Sequence, residues 1–69
     1  MEQQYCVNTR AQDNGDHEVH TATCRYLPSL VNRLGLGTHS SCQSAVQAAR
    51  LIFRTANGCI HCSTACHTR

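Results

Sequence analysis

The chain has 69 residues, of which 41% are hydrophobic and 4% aromatic, and its formal net charge is +2. Because typical domains have about 100–200 residues, we predict one small Cys- and His-rich domain over residues 1–69. A chain of this size buries only about 60% of its unfolded surface, and such small cores usually need disulfides or a bound metal. Its six cysteines can supply either kind of cross-link. No apolar run reaches the roughly 20 residues of a membrane-spanning helix, which excludes helical membrane spans.

The N-terminal sequence bears on the compartment. Residues 1–6 are polar and acidic and lack the apolar stretch of a secretory signal. We therefore expect a cytoplasmic protein, in which clustered Cys and His bind metal more often than they form disulfides. The expressed mature form of a secreted protein can also begin with Met, and its six cysteines would then form three disulfides in one of fifteen pairings.

The N-terminal third of the chain predicts a β-hairpin. Residues 4–8 alternate, with Tyr5 and Val7 on one face. Asn14-Gly15 is the strongest turn signal in the sequence. Residues 17–23 are β-branched and polar, as expected of the partner strand. We expect antiparallel pairing between these two segments.

The main helix is predicted over residues 42–56, because its apolar residues recur at spacings of three and four. Ser40 and Gln43 have the spacing of a capping box at its start, and Asn57-Gly58 is typical of its end. The fold class that follows is α+β: a small β-hairpin packed on one main helix and cross-linked by a metal site.

The segment between the hairpin and the helix, residues 25–41, predicts no regular element. Pro28, Gly35 and Gly37 interrupt its pattern. We expect its four leucines to pack into the core: Leu27, Leu30, Leu34 and Leu36.

Two pairs of Cys and His have the spacing of metal ligands. Cys59 and Cys62 form a Cys-x2-Cys motif directly after a glycine, and this spacing presents two thiolates to one ion from a tight turn. His20 and Cys24 offer a second pair. Residues four apart in a straight strand are about 13 Å apart, so both can bind one ion only if the chain bends within residues 21–23. We expect this bend and predict one structural zinc ion bound by His20, Cys24, Cys59 and Cys62.

The other cysteines leave alternatives open. Cys66 or His67 can replace His20, so that a rival set contains Cys24, Cys59, Cys62 and Cys66. Cys42 lies on the apolar face of the predicted helix, where it is either a small buried hydrophobe or, in the first turn, a reactive thiol. Cys6 either packs in its strand or pairs with another Cys on oxidation.

Positive charge is concentrated in the C-terminal part. All four acidic residues lie in residues 1–24, whereas residues 25–69 contain five arginines and no acid. Arg50 and Arg54 lie one turn apart on the predicted helix. Because guanidinium groups match phosphate oxygens, these two arginines form a candidate surface for a nucleic acid or an acidic partner; the alternative is a solvated helix face.

The order of residues along most of the chain resembles a family of small uncharacterised bacterial proteins rich in Cys and His. The resemblance covers about residues 5–67, and no established activity comes with it. It is carried by Asn14-Gly15-Asp16-His17-Glu18-Val19-His20, Cys24, Leu27-Pro28, Asn32-Arg33, Leu36-Gly37, Ser41-Cys42, Ala45-Val46, Ala49 and Gly58-Cys59.

A shorter part is similar to the compact metal-binding module of Ada-type methyl acceptors, which also occurs beside some bacterial nucleases. Val19-His20-x3-Cys24, then a helix, then Gly58-Cys59-x2-Cys62 carry this similarity. It implies that His20, Cys24, Cys59 and Cys62 bind zinc. The Ada-type domain uses four cysteines, whereas this chain has a histidine at the first position, so the similarity implies a structural metal site and not methyl transfer.

No catalytic group is evident. His17 and His20 flank a glutamate but are one residue short of the metalloprotease spacing, which needs two histidines four apart on one helical face. We therefore interpret the protein as a non-enzymatic zinc-binding module that acts as a binding or adaptor protein. The alternatives are a disulfide-cross-linked secreted protein, or a thiol-based redox or methyl-acceptor protein that uses Cys42 or Cys59.

Overall fold

The computed structural model of the chain describes residues 2–68. Met1 and Arg69, the ends of the predicted domain, lie outside the described residues. The regular elements are β1 (Gln3–Asn8), β2 (His17–Thr21), β3 (Arg33–His39), α1 (Cys42–Arg50) and β4 (Ala56–Gly58), with short 3-10 turns at Leu30–Asn32 and Thr64–Cys66. Across these residues, no helix is long and apolar enough to span a membrane.

The four strands form one mixed sheet in the order β3-β1-β2-β4. The predicted hairpin is confirmed: β1 and β2 pair antiparallel, with Tyr5 opposite Thr21 and Val7 opposite Val19. Gly15 lies in the connecting loop with φ of 90°, a conformation that glycine adopts without steric cost. β4 pairs parallel to β2 at the other edge.

The alternation along the central strands separates a core face from the face that carries Cys6 and His20. Tyr5, Val7 and Val19 are buried on the face that packs against α1. The helix contributes three small apolar side chains to the same cluster: Ala45, Val46 and Ala49. Cys6 and His20 are paired across β1 and β2 and point to the opposite face. The α+β fold, with a hairpin packed on one helix, is confirmed.

The predicted end of the helix is wrong. α1 ends at Arg50 instead of continuing to residue 56, and Leu51, the next residue, is 90% exposed. The backbone turns, with the Phe53 N–H donating to the Ala49 carbonyl, and residues 56–58 then pair with β2. The apolar spacing continues past Arg50, but the ladder with β2 satisfies the backbone of this segment in place of helical hydrogen bonds. Asn57-Gly58, predicted as a helix stop, is therefore part of β4.

The start of the helix also differs in detail. Ser41, and not Ser40, occupies the N-cap position, and its side chain makes no capping hydrogen bond. Ser44 instead donates its hydroxyl hydrogen bond to the Ser41 carbonyl. The predicted capping box between Ser40 and Gln43 is therefore wrong.

The segment predicted as irregular contains β3, which pairs antiparallel with β1. The register shifts so that Gly35 and Gly37 lie opposite consecutive residues of β1, which leaves Leu36 as the extra residue of a bulge. Gly37 has φ of 81° there. Leu36 packs against the core as expected, whereas Leu30 and Leu34 are 79% and 36% exposed and are not part of the core cluster.

A disulfide joins Cys42, the first residue of α1, to Cys66 near the C-terminus. Their Cα atoms are 6.2 Å apart and 24 residues separate them in sequence. Cys42 is therefore neither a small hydrophobe alone nor a reactive thiol. The bridge attaches the start of the helix to the 3-10 turn Thr64–Cys66, which follows Cys59 and Cys62.

Candidate metal centre

Four side chains converge on the sheet face opposite α1: His20, Cys24, Cys59 and Cys62. Each offers one ligand atom, and these four atoms all lie within 4.8 Å of one another. Three of the four residues are buried, and Cys62 is half-buried. The structure thus brings together the four residues that the sequence predicts as ligands, in a group that could hold a metal ion.

The end of β2 positions the first pair. The strand stops at Thr21, residues 22–23 form a turn, and the Cys24 N–H donates to the Thr21 carbonyl at 3.1 Å. The predicted bend within residues 21–23 is confirmed. It folds Cys24 back toward His20, which a straight strand would hold too far away.

The turn after β4 positions the second pair. The Cys59 N–H donates to the Val19 carbonyl at 3.0 Å, which fixes Cys59 beside β2. The Ser63 N–H donates to the Cys59 carbonyl at 2.9 Å and closes the turn around Cys62. Gly58 allows the close packing of this turn, because a Cβ there would lie 2.7 Å from the Cys66 Cβ and 2.8 Å from the Ser63 carbonyl oxygen.

Backbone N–H groups donate to the sulfurs of all three cysteines. Thr21 donates to the Sγ of Cys62 at 3.3 Å. Residues two positions after Cys24 and Cys59 donate to their respective sulfurs, each at 3.4 Å. Such donors stabilise negative charge on sulfur and fix the orientation of each ligand. They make the group suited to thiolates.

The pKa values of the three cysteine thiols are shifted by burial and by hydrogen bonds. Burial raises the pKa of Cys24 to about 12 and also raises the pKa of Cys59. Burial acts in the same direction on Cys62, but hydrogen bonds, first from the Thr21 N–H and then from the Ser63 hydroxyl, outweigh it and lower its pKa. Several thiolates so close together are unfavourable without a compensating cation. A bound divalent cation would supply this compensation.

His20 is held in the orientation of a ligand. It is 1% exposed, and its Nδ1 lies 3.9 Å from the Sγ of Cys62. Its Nε2 lies 3.5 Å from the Oε1 of Glu18, on the other side of the ring. Burial lowers the pKa of His20 despite the opposing charge of Glu18. The imidazole is thus favoured in its neutral form, which is the form that binds metals.

Glu18 is a residue whose role the sequence analysis missed. In the sequence, Glu18 is noticeable only as the glutamate of an incomplete metalloprotease motif. A carboxylate that accepts from the distal N–H of a ligating histidine fixes the tautomer and raises the basicity of the ligand. One feature of the sequence could have indicated this role. Glu18 lies two residues before His20, so that both side chains are on one face of the strand.

The alternative ligands lie elsewhere. The sulfur of Cys66 is bonded to Cys42, so it is not available to the group. The Nδ1 of His67 lies 3.1 Å from the Gly58 carbonyl oxygen. Cys6 is a buried free cysteine opposite His20, and it is not among the four converging residues.

No protein family, curated protein or solved structure matches this chain. The interpretation of the group therefore depends on its own geometry and chemistry.

Proposed function

We propose that His20, Cys24, Cys59 and Cys62 bind one structural zinc ion. The observation that carries this proposal is the convergence of one histidine and three cysteines, with their ligand atoms within 4.8 Å of one another. Sulfur and imidazole nitrogen are the ligands that zinc prefers in tetrahedral sites. The resemblance to Ada-type modules leads to the same four residues.

The proposed role is that of a non-enzymatic binding or adaptor module. Four protein ligands fill a tetrahedral coordination sphere and leave no open position for a substrate. The alternative of redox or methyl-acceptor chemistry has less support. Cys42 is engaged in a disulfide, and Cys59 is 1% exposed with a pKa that burial raises.

The compartment that we propose is the cytoplasm, where thiolate metal sites are typical. The Cys42–Cys66 disulfide is instead typical of an oxidising compartment. The converging group uses neither of these two cysteines, so the proposal of a cytoplasmic location does not depend on their oxidation state. The secreted alternative retains this disulfide and requires the four cysteines that are free in the structure to form two more.

Zinc and thiol content, measured on one sample, test the proposal. We expect protein purified without reductant or chelator to contain one zinc ion per chain. After denaturation with a chelator, four thiols should react, which matches the four free cysteines. Six thiols with one zinc would mean that the Cys42–Cys66 pair is reduced. No zinc and no reactive thiols would contradict the proposal and favour the disulfide-cross-linked alternative.

Glu18→Gln should weaken zinc binding without removing a ligand. The amide keeps the size of the side chain, but it removes the charge beside the His20 Nε2. Loss of such partners typically costs 10- to 100-fold in metal affinity, so we expect a decrease of at least about tenfold. Competition with a zinc-binding dye measures this affinity. Asp13→Asn, at an exposed acid in the hairpin loop, is the control. Equal affinities in the two variants would contradict a role for Glu18.

A further inference from the structure

Two adjoining cavities lie along α1, and neither contains a residue of the candidate metal centre. The first has a volume of about 150 Å³ and is lined by Arg50 and Arg54 together with residues of β4. The second has a volume of about 190 Å³ and lies between the helix and the C-terminal segment. Both are lined by Arg50 and Thr68, so we describe them together as the helix groove.

The two arginines line the first cavity although they do not share a helix. The predicted placement of both on one helical face is wrong, because α1 ends at Arg50 and Arg54 lies in the following turn. The Arg50 Nε–H donates to the Ala56 carbonyl at 3.1 Å, which fixes the guanidinium while its two terminal amino groups remain as donors. The Arg54 guanidinium makes no hydrogen bond or ion pair within residues 2–68.

The acidic residue at this cavity is already hydrogen-bonded. Asp16 is buried, and its Oδ2 accepts from the side-chain amides of Asn57 at 3.2 Å and Asn14 at 3.3 Å. It is the one acidic side chain among the described residues that line the cavity, against two guanidinium groups. These lining residues therefore carry a net positive charge.

The side chains that line the second cavity provide further hydrogen-bond donors along the helix. Gln43 and Gln47 are four residues apart in α1, and Arg50 follows three residues later, so all three lie on one side of the helix. Their side chains carry N–H donors. Of the residues described, none that lines this cavity is acidic.

We propose that the helix groove binds phosphate groups, with Arg50 and Arg54 as the primary contacts and Gln43 and Gln47 as contacts for a neighbouring group. The planar guanidinium fork matches the oxygens of a phosphate. The source of the phosphate is either a free phosphate or the backbone of a single-stranded nucleic acid. This inference does not depend on the identity of the metal.

Two titrations distinguish these sources. Inorganic phosphate is added to isotopically labelled protein while amide NMR shifts are followed. A fluorescent oligothymidine is titrated with protein at low and high salt while its anisotropy is measured. Phosphate-dependent shifts around Arg50 and Arg54 without oligonucleotide binding would assign a free phosphate. Tight, salt-sensitive oligonucleotide binding would assign a nucleic-acid backbone, since cations released from phosphates make binding depend on salt.

Arg54→Gln is the decisive variant, because removal of this guanidinium breaks no contact within the described residues. We expect about a tenfold loss of affinity for whichever probe binds, because Arg54 supplies one of the two charged guanidinium contacts to the phosphate. Arg10→Gln removes the same charge from the exposed hairpin loop, outside the groove, and should change affinity much less. Thermal melts verify that both variants are folded. The absence of binding by either probe, or equal losses in the two variants, would overturn the proposal.

Discussion

Removal of zinc with a strong chelator should unfold the protein. The proposed site joins the end of β2 to the turn after β4, and the apolar cluster on the other sheet face consists mostly of small side chains such as Ala45 and Ala49. Structural zinc contributes about 10–16 kcal/mol in zinc-finger peptides, whereas whole domains are stable by only about 5–15 kcal/mol. Circular dichroism should show loss of helix and sheet on chelation, and recovery when zinc is added back.

A matched pair of variants separates loss of the site from loss of a cysteine. Cys59→Ser removes a ligand and should unfold the chain as completely as chelation does. Cys6→Ser changes another buried free cysteine, outside the converging group, and should cost only about 1–2 kcal/mol. A protein that retains its full circular dichroism signal without metal, with and without a reductant for the Cys42–Cys66 disulfide, would show that the core alone is sufficient.

Acid should have the same effect as chelation, because protons compete with zinc for thiolates and imidazole. The pKa of His20 decides whether its protonation stabilises or destabilises the fold. In the folded chain, burial lowers this pKa below the ordinary value of 6.5. As the pH falls through 6.5, the unfolded chain therefore binds more protons than the folded chain, and stability decreases. Zinc release and unfolding should coincide in a titration from neutral to acidic pH.

Gly58→Ala should destabilise the fold although it adds only one methyl group. A methyl group there would lie 2.7 Å from the Cys66 Cβ, 2.8 Å from the Ser63 carbonyl oxygen and 2.9 Å from the Cys66 carbonyl carbon. The two nearby backbone atoms cannot yield as the end of a flexible side chain would, and overpacking typically costs 1–3 kcal/mol. We therefore expect destabilisation by at least about 2 kcal/mol. Because the displaced turn carries Cys59 and Cys62, zinc affinity should fall as well.

Gly35→Ala is the matched control for this prediction. Gly35 lies in β3, its φ is not positive, and a Cβ there would meet no atom within 4 Å. The same change of one methyl group should therefore leave stability nearly unchanged. Thermal melts of the two zinc-loaded variants provide the comparison, and equal shifts in Tm would contradict the role assigned to Gly58.

The parts of the fold predicted from sequence depend on short-range patterns. The Asn14-Gly15 turn signal, between residues 4–8 and residues 17–23, predicts the hairpin, and the period of two decides which side chains face the core. The Cys-x2-Cys spacing placed Cys59 and Cys62 in one turn. Distance requires a bend before Cys24 if His20 and Cys24 both bind one ion, and the nearby Pro28 with the irregular segment favours that bend.

The tertiary structure decided the elements whose partners lie far away in sequence. β3 contains two glycines and no clear alternation, but its backbone pairs with β1 across the sheet. The apolar spacing of the helix continues beyond Arg50, and only the open edge of β2 explains why residues 56–58 form a strand instead. These outcomes depend on backbone hydrogen-bonding groups that every sequence carries, so no local pattern of side chains indicates them.

The roles of the cysteines were also decided partly by the sequence and partly by the tertiary structure. The small size and the six cysteines predict a cross-linked core, and the spacings predict the convergence of His20, Cys24, Cys59 and Cys62, with Cys66 as a rival ligand. The structure decided that Cys66 pairs with Cys42, because the helix start and the final turn come within 6.2 Å between Cα atoms. A disulfide requires this proximity, and proximity between residues 24 positions apart is a property of the packed chain.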